Sequence, residues 1–236
     1  MADPGVDRFW QGLVAEPPPG PPYADAFGAR MPDGRFLLQP LRRLPADPAR
    51  AVASLIVTQA SFAVERALAA WLAEIARRFR PEIVVGLPTL GLILARGVAE
   101  RLGHANWVAA GFSRKFWYDE ALSEPASSIT SPDARRLWLD PRMLPRLEDK
   151  RVLLVDDVVS TGTSAAAALR LLEKAGAPAV ALAVAMVQTD RWRGRLPEAL
   201  PVAGVFATPL FREVAGGWAP MAETLAAEAC PLLSPR

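Results

Sequence analysis

The sequence predicts an α/β fold with a mainly parallel sheet, because short apolar strands alternate along the chain with amphipathic helices. Two apolar runs, at residues 83–86 and 152–155, have the length of buried strands and precede turns that contain glycine or polar residues. Around them, apolar residues recur at the spacing that places them on one face of a helix. The chain has 236 residues, of which 51% are hydrophobic and 22% charged, so it can bury such a core.

The elements follow one another from residue 64 onward. Val64, Leu68 and Leu72 begin a helical pattern that continues to Phe79, and Pro81 separates it from the first core strand. Glycines are expected to end the next two helices, because glycine tolerates the left-handed conformation found there. In order, the predicted elements are a helix over 64–79, a strand over 83–86, a helix ended by Gly103, strands over 107–110 and 152–155, a helix over 161–175 ended by Gly176, and a strand over 179–186.

Composition divides the chain into three segments. Residues 1–50 are rich in proline, with a dense cluster at 17–22, and predict an extended or irregular N-terminal extension with one strand at 36–41. Residues 51–190 contain the alternating elements and form the core. Within that core, residues 113–139 are polar and too long for an ordinary connection, a length typical of functional loops. Residues 191–236 form a C-terminal segment.

Charge and rare residues exclude several classes of function. The 27 basic and 25 acidic residues leave a net charge of +2, too small to indicate a nucleic-acid partner. Cys230 has no second cysteine to pair with, and His104 alone would have to support a histidine-dependent hydrolase or metal site. The N-terminal residues lack a secretory pattern, and the longest apolar run, 179–187, is too short to span a bilayer. We therefore expect a cytoplasmic protein without a membrane partner.

The segment that carries the chemistry joins a buried strand to a helix at residues 152–164. Asp156 and Asp157 follow the apolar strand, and a turn of hydroxyl residues around Gly162 then opens the helix. The helix N-terminus offers unpaired N–H groups and partial positive charge to a phosphate, and glycine lets the backbone approach it. The two carboxylates would repel that phosphate, so they must face sugar hydroxyls or a Mg²⁺ ion. Together these features describe a site for a phosphorylated ribose.

This segment resembles, at every position, the signature with which type I phosphoribosyltransferases bind phosphoribosyl pyrophosphate (PRPP). The shared pattern is an apolar strand, two acids, two further apolar residues and a turn of serine, threonine and glycine. A competing phosphate motif fails, because Leu92 and Ile93 stand where a P-loop requires lysine and a hydroxyl residue. The resemblance implies a Rossmann-like type I phosphoribosyltransferase core. Its mainly parallel sheet would be flanked by helices, with a small hood from the C-terminal and N-terminal segments.

The family pattern also implies which residues bind PRPP and catalyse the reaction. Asp156 and Asp157 are expected to orient the ribose and to hold Mg²⁺. Residues 113–139 resemble the family's flexible catalytic loop, in which Lys115 would contact pyrophosphate oxygens and Arg114 would support it. PRPP itself is expected on the hydroxyl turn and on a pyrophosphate loop after the first core strand, with contacts from Ser160, Thr161, Gly162, Thr163, Ser164, Thr89, Leu90 and Gly91.

The acceptor base is less closely defined by the sequence. Hypoxanthine-guanine enzymes carry an aspartate at the ninth signature position, where this chain has Ser160, which weakens that assignment. The loop after Lys115 lacks the further basic residues of orotate enzymes, so a purine-type base is favoured. An acidic loop residue assists in some adenine enzymes, and the sequence leaves open whether Asp119, Glu120 or Glu124 does so here. Base contacts are predicted from Val158, Phe206, Phe211 and Trp218.

The resemblance therefore implies a Mg²⁺-dependent transfer of the 5-phosphoribosyl group from PRPP to a nucleobase, with pyrophosphate as product and a homodimer as the assembly. A PRPP-sensing regulator of the same fold without transferase activity is the alternative. It would need a nucleic-acid surface, and the neutral N-terminal segment offers no helix-turn-helix pattern. A different PRPP-using reaction, of lyase or nucleotide-modifying type, stays open because these motifs contact PRPP and not the acceptor.

Overall fold

The computed structural model describes residues 12–128 and 131–233 and assigns strands and helices throughout these ranges. The strands are β1 (Leu13–Val14), β2 (Ala26–Arg30), β3 (Phe36–Leu44), β4 (Asp47–Ala53), β5 (Ile83–Gly86), β6 (Val108–Ala109), β7 (Ser123–Ser128), β8 (Ser131–Trp138), β9 (Val152–Val159), β10 (Ala179–Gln188), β11 (Val202–Thr208), β12 (Leu210–Val214) and β13 (Gly217–Met221). The α-helices are α1 (Phe62–Ala76), α2 (Gly91–Leu102), α3 (Leu144–Leu147) and α4 (Thr163–Lys174).

A parallel sheet of five strands, in the spatial order β11-β10-β9-β5-β6, forms the centre of the fold. The chain enters at β5, moves outward to β6, and then returns to the other side of β5 to form β9, β10 and β11. The order of the strands therefore reverses between β5 and β9. In open α/β sheets, ligands bind beyond the carboxyl ends of the strands at such a reversal, so this topology positions a crevice between β5 and β9.

Helices cover both faces of this sheet. Alternate residues of β9 point to opposite faces, and each set joins a different buried cluster. Leu153 and Val155 pack with apolar residues of α1 and α2, whereas Val152 and Leu154 pack with α4 and with the hairpin of β7 and β8. The α/β fold class and the mainly parallel sheet predicted from the sequence are therefore confirmed.

The helices begin and end close to their predicted positions. Ser61 caps α1 by accepting the N–H of Val64, and a 3-10 turn over Arg77–Phe79 extends that helix to its predicted end. Gly103 ends α2 with a φ of 80°, a left-handed conformation that residues with a Cβ rarely adopt. Within the described residues, no helix has both the length and the apolar character needed to cross a membrane.

The N-terminal segment differs from its prediction. Residues 12–53 form four strands, rather than an irregular extension with one, and these join β12 and β13 in a six-stranded antiparallel sheet. The N-terminal and C-terminal segments are joined where β12 pairs with β4, with Leu210 opposite Val52. Proline and arginine interrupt the apolar alternation that identifies strands, and the pairing is long-range, so the sequence pattern missed these strands. This sheet is the hood, and both chain ends build it as expected; residues 1–11 lie outside the described residues.

Two other segments also differ from their predictions. β11 belongs to the segment assigned to the hood, yet it is an edge strand of the parallel sheet, because its apolar residues are buried beside β10. The sequence predicts a flexible functional loop over residues 113–139, but this segment contains the hairpin of β7 and β8. The side chains that face α4 in this hairpin include Leu137, which is 2% exposed, so burial accounts for the added structure.

A buried carboxylate fastens this hairpin to α4. The side chain of Glu124 is 8% exposed and forms ion pairs with Arg170 at 3.1 Å and Lys174 at 2.7 Å. Lys174 also donates a hydrogen bond to the carbonyl oxygen of Ser123 at 3.0 Å. Burial raises the pKa of Glu124, but the hydrogen bonds and charges of Lys174 and Arg170 outweigh it and leave the pKa below its ordinary value.

Replacing Glu124 by glutamine removes the charge that both cations bind while keeping the shape of the side chain. We expect Glu124→Gln to lower the free energy of unfolding near pH 7 by about 1.5–3 kcal/mol, the range for hydrogen bonds to charged groups. Because folding lowers the pKa of Glu124, this stabilisation is complete above the pKa of the unfolded chain, about 4.3, and is lost as pH falls through the folded-state value.

Urea unfolding of both proteins near pH 7 and at about pH 3 measures this effect. The control is Glu120→Gln, which breaks the exposed ion pair with Arg114 and should change stability by less than about 0.5 kcal/mol. A stability difference for Glu124→Gln that is the same at both pH values would contradict the ion-pair account.

Candidate functional site

The two acids of the signature lie within β9, at the point where its neighbour β5 has already ended. Pairing between β5 and β9 ends at Gly86 and Val155, whereas β9 stays paired with β10 as far as Val159. The strand predicted over 152–155 is therefore longer than expected. Asp156 and Asp157 continue it past the end of β5, so they border the crevice at the strand reversal.

The carboxyl groups of Asp156 and Asp157 are close together and poorly solvated. Asp156 is 8% exposed, and its Oδ1 accepts the N–H of Asp157 at 2.9 Å. Burial raises the pKa of Asp156 well above its ordinary value, and the charge of Asp157 raises it further. Burial also raises the pKa of Asp157, which is the more exposed of the two. Two adjacent carboxyl groups with raised pKa values suit a cation or the hydroxyl groups of a sugar.

Asp156 is enclosed because helix α2 begins directly against it. A Cβ on Gly91, the first residue of α2, would lie 2.7 Å from Oδ1 of Asp156 and 2.8 Å from its Cα. The preceding loop is tied to the same strand, since the N–H of Leu87 donates to the carbonyl oxygen of Val155 at 2.9 Å. Thr89 is exposed, and the Pro88–Thr89 peptide bond is cis. The structure thus brings the predicted pyrophosphate loop, at the N-terminus of α2, beside the predicted ribose acids.

The hydroxyl turn follows β9 and opens α4. Gly162 precedes the helix with a φ of 77°, a left-handed conformation that favours glycine, and no side chain in the described residues caps α4 there. Thr161 and Thr163 place their Oγ1 atoms 3.1 Å apart, while Ser160 and Ser164 are half-buried. The turn therefore presents hydroxyl groups and the first N–H groups of a helix, the chemistry that binds a phosphate.

Two arginines that no sequence motif singled out contact this turn. They come from the segment after β10, which packs against Gly162 through the buried side chain of Trp192. Nη2 of Arg191 donates to Oγ of Ser160 at 2.9 Å, and Nη1 of Arg195 donates to Oγ1 of Thr163. Because arginine is abundant in this chain, the presence of Arg191 and Arg195 did not by itself indicate a binding site. Their position after the carboxyl end of the strand next to β9 is the signal that could have identified them.

The basic residues of the predicted catalytic loop lie on an exposed segment. Arg114 forms an ion pair with Glu120 and lies over the ring of Trp138, 5.1 Å from its centroid. Lys115 is exposed. Within the described part of the chain, the structure gives neither side chain an ion pair with the acids of β9, so their contact with a pyrophosphate stays a prediction.

The three acids considered for proton transfer have different surroundings. Glu124 is buried and forms ion pairs with two cations of α4, so its carboxylate holds the hairpin to that helix. Asp119 accepts the N–H of Ala121 at 2.9 Å and thereby caps a short 3-10 turn. Glu120 is exposed and pairs with Arg114.

The aromatic residues predicted to contact the base belong to buried cores. Phe206 and Phe211 are fully buried, and Trp218 is 7% exposed. Phe206 packs in the cluster that α1 and α2 form on the sheet, and the other two pack with Tyr23 in the hood. The prediction that these rings stack on a base is corrected, because their faces are used to build the core and the hood. Val158, by contrast, is half-buried at the carboxyl edge of the sheet.

Known proteins of one family resemble this chain. A family model for the phosphoribosyl transferase domain matches residues 58–209. An adenine phosphoribosyltransferase from Frankia alni is 34% identical over 141 residues, which cover 57% of this chain and 67% of that protein. The transcriptional regulator GfcR from Archaeoglobus fulgidus is 35% identical over 103 residues, covering 44% of this chain and 46% of the regulator.

The fold is also found among solved structures. The crystal structure of an adenine phosphoribosyltransferase from Rhodothermus marinus matches with a TM-score of 0.56 and 25% identity. The match covers 72% of this chain and 93% of that one. The region matched by the family model includes the acids of β9, the start of α2 and the hydroxyl turn, so sequence similarity and site geometry point to the same residues.

The contact between Gly91 and Asp156 can be tested by adding one methyl group. Alanine normally favours a helix over glycine by up to about 1 kcal/mol, but here its Cβ meets backbone atoms. We expect Gly91→Ala to lower the free energy of unfolding by about 1–3 kcal/mol, the cost of overpacking. The control is Gly111→Ala, whose Cβ would meet no atom within 4 Å. Thermal unfolding compares the two, and equal stability of both variants would contradict the close approach.

Proposed function

Because this chain belongs to the type I phosphoribosyltransferase family of enzymes, we propose that it transfers the 5-phosphoribosyl group of PRPP to a purine base and releases pyrophosphate. The observation that carries this proposal is the meeting of three features at one edge of the sheet. These are the acids of β9, the start of α2 at Gly91, and the hydroxyl turn that opens α4. The similarity to an adenine phosphoribosyltransferase supports adenine as the first base to test.

In this proposal PRPP lies across the crevice with its phosphate groups on two helix N-termini. The 5′-phosphate binds the turn over residues 160–164, where hydroxyls and the N–H groups of α4 are available. The pyrophosphate group binds Thr89, Leu90 and Gly91, where α2 begins. The ribose hydroxyls lie between them, against the acids of β9. Helix N-termini stabilise negative charge with groups that are already oriented, so little reorganisation is needed during the reaction.

The residues at this edge also fit a magnesium ion. Mg²⁺ binds one or two carboxylates together with substrate phosphates and water, and Asp156 and Asp157 offer two adjacent carboxyl groups whose pKa values are raised mainly by burial. Within the described residues, no group of three or more acids, histidines or cysteines could hold a metal. Asp157, the more exposed acid, is the better placed ligand. When bound, the ion would neutralise charge on the pyrophosphate.

The proposed reaction breaks the bond between ribose C1 and the pyrophosphate oxygen and forms a bond from C1 to a ring nitrogen of the base, which loses its proton. The protein contributes position and electrostatic stabilisation rather than a covalent step. Lys115 and Arg114 are proposed to approach the leaving pyrophosphate as the exposed segment that carries them, which precedes the hairpin of β7 and β8, closes over the site. Closure would also exclude water and so protect PRPP from hydrolysis.

The base is proposed to bind where the hood meets the carboxyl edge of the sheet. Nε2 of Gln188, the last residue of β10, donates to the carbonyl oxygen of Ala53 at 2.9 Å and joins the two sheets. Val158 pairs with Met186 in β10 and lies near this junction. The apolar side chain of Val158 is therefore the proposed contact for the face of the base. Ser160, at the position where hypoxanthine-guanine enzymes have an acid, supports a base other than hypoxanthine or guanine.

The family resemblance further implies a homodimer, and the sequence pattern predicts a cytoplasmic location; both are part of this proposal. Sedimentation equilibrium of the purified protein tests the first, because the mass of one chain is 25.4 kDa and a dimer would have twice that mass.

Turnover tests the function directly. Purified protein is incubated with PRPP, Mg²⁺ and each of a panel of purine and pyrimidine bases, and pyrophosphate and nucleotide are measured. We expect equal amounts of pyrophosphate and nucleotide with adenine. If calorimetry shows that the protein binds PRPP but no base is converted, the transferase function is contradicted. Such a result would favour the regulator, for which the similarity to GfcR is the supporting observation.

The acids of β9 can be tested separately from the fold. We expect Asp157→Asn to reduce turnover by about 100-fold or more, because a charge that stabilises the reacting groups is lost. The melting temperature should stay the same or rise, because one of two adjacent, poorly solvated negative charges is removed. The matched control is Asp149→Asn, an exposed acid whose φ of 54° suits asparagine. Unchanged turnover in Asp157→Asn would contradict the role of this acid.

A further inference from the structure

We propose that Arg191 and Arg195 are positioning residues for the 5′-phosphate of the substrate. They fix the hydroxyls of Ser160 and Thr163 as hydrogen-bond donors to that phosphate and add positive charge beside it. This inference rests on the proposed function, since it assigns the ligand of the hydroxyl turn. It extends that function by naming residues outside the signature that determine preference for a phosphorylated ribose.

Both arginines donate hydrogen bonds to hydroxyl oxygens of the turn, and this direction determines what the hydroxyls can do. Nη2 of Arg191 donates to Oγ of Ser160 at 2.9 Å, and Nη1 of Arg195 donates to Oγ1 of Thr163. A guanidinium group can only donate, so each hydroxyl oxygen must accept with one of its lone pairs. The hydroxyl proton of Ser160 is then free to be donated elsewhere. Oγ1 of Thr163 lies 3.1 Å from Oγ1 of Thr161, and either oxygen can donate in that contact; the Thr163 proton is free for a phosphate when Thr161 is the donor. A phosphate dianion accepts hydrogen bonds and donates none, so hydroxyl groups held in this way suit it.

The two arginines are presented by a segment that is packed firmly on the turn. Trp192 lies between them in the sequence, is 8% exposed, and donates from Nε1 to the carbonyl oxygen of Thr189 at 3.0 Å. A Cβ at Gly162 would lie only 3.2 Å from Cβ of Trp192, so the turn and this segment are in close contact. Nε of Arg191 also donates to Oγ1 of Thr189 at 3.1 Å, which orients its guanidinium group.

The charges at this place favour an anion. Within residues 12–128 and 131–233, neither Arg191 nor Arg195 forms an ion pair with an acid, whereas Arg193 pairs with Glu228. Burial lowers the pKa of Arg191, and the positive charge of Arg50 in the hood lowers it further, with Asp190 opposing this in part. Positive charges that face the hydroxyls of a phosphate turn, rather than carboxylates, are arranged to be neutralised by a bound anion.

The same contacts allow an opposite interpretation, in which the arginines occupy the hydroxyls and compete with the phosphate. The two interpretations predict opposite effects of removing the guanidinium groups. If the arginines position the hydroxyls, their removal weakens phosphate binding. If they compete, their removal tightens it. Direct measurement of affinity therefore decides between them.

The test uses Arg191→Gln and Arg195→Gln, with Arg193→Gln as the matched control. Arg193 lies in the same segment, but its guanidinium group lies over the ring of Trp192, at 4.7 Å from the centroid, and pairs with Glu228. Calorimetry measures the dissociation constant of ribose 5-phosphate, which requires no turnover and no knowledge of the base. We expect each of the two test variants to weaken binding about 10-fold or more, and the control to leave it within about 2-fold of the wild type.

Kinetics and a double substitution separate positioning from a structural effect. The KM for PRPP should rise in both test variants, while kcat and the KM for the base change little, because the 5′-phosphate is remote from the reacting bond. In a Thr163→Val background, Arg195→Gln should have a smaller effect on ribose 5-phosphate binding than in the wild type, because its hydroxyl partner is gone. Arg195→Lys, which keeps the charge, should recover part of the affinity. It replaces Arg195→Gln as the test variant if Arg195→Gln has a lower melting temperature than the wild type.

Affinity for ribose 5-phosphate that is equal in the test variants and in Arg193→Gln would overturn the inference, as would tighter binding after either substitution. Full additivity in the Thr163→Val background would overturn the part that acts through the hydroxyl. Wild-type protein that binds neither PRPP nor ribose 5-phosphate would defeat the proposed function itself, and this inference with it. Binding of both by the wild type, with no loss in the test variants, would defeat the inference alone.

Discussion

The contact of α2 with the backbone of β9 is the constraint on which the rest of the site depends. It is possible because Gly91 has no side chain, so the first turn of the helix can lie against Asp156. The contact holds the N-terminus of one helix beside the acids of the central strand. The turn after the same strand opens a second helix, α4. Two helix N-termini therefore meet at one strand end, and both can face the same ligand.

This arrangement places opposite charges in sequence along the crevice. The N-termini of α2 and α4, and the arginines near the hydroxyl turn, supply positive potential. The negatively charged acids of β9 lie between the two helix N-termini. Burial keeps the pKa values of Asp156 and Asp157 raised, so these carboxyl groups are costly to ionise. A ligand that brings phosphates, hydroxyls and a cation together would satisfy all of these groups at once. This combination of groups is the reason why the proposed ligand is PRPP with a cation rather than a simple anion.

Local patterns predicted the part of the fold that is built locally. The strand over 83–86, the helix end at Gly103 and the turn at Gly162 all follow from short-range rules of periodicity and glycine conformation. The strands of the hood do not, because β4 pairs with β12, far away in sequence, and its own pattern is interrupted by proline and arginine. Phe206 and Phe211 have the composition of base-stacking residues, and only the packing reveals that they are buried. Likewise, Arg191 and Arg195 can be identified as residues near the site only once the position of the preceding strand, β10, is known.

The hood is one sheet made from two segments that the whole core separates, with strands from residues 13–53 and 210–221 hydrogen-bonded side by side. A ribosome makes the first segment early and the second only after the core has been synthesised. The core, with the acids of β9 and the hydroxyl turn, is therefore synthesised before the sheet of the hood can be completed. It also follows that the hood cannot be exchanged between proteins as one continuous piece of sequence. Recombination that replaces one of its two segments alone would leave mismatched partners in the same ladder of hydrogen bonds.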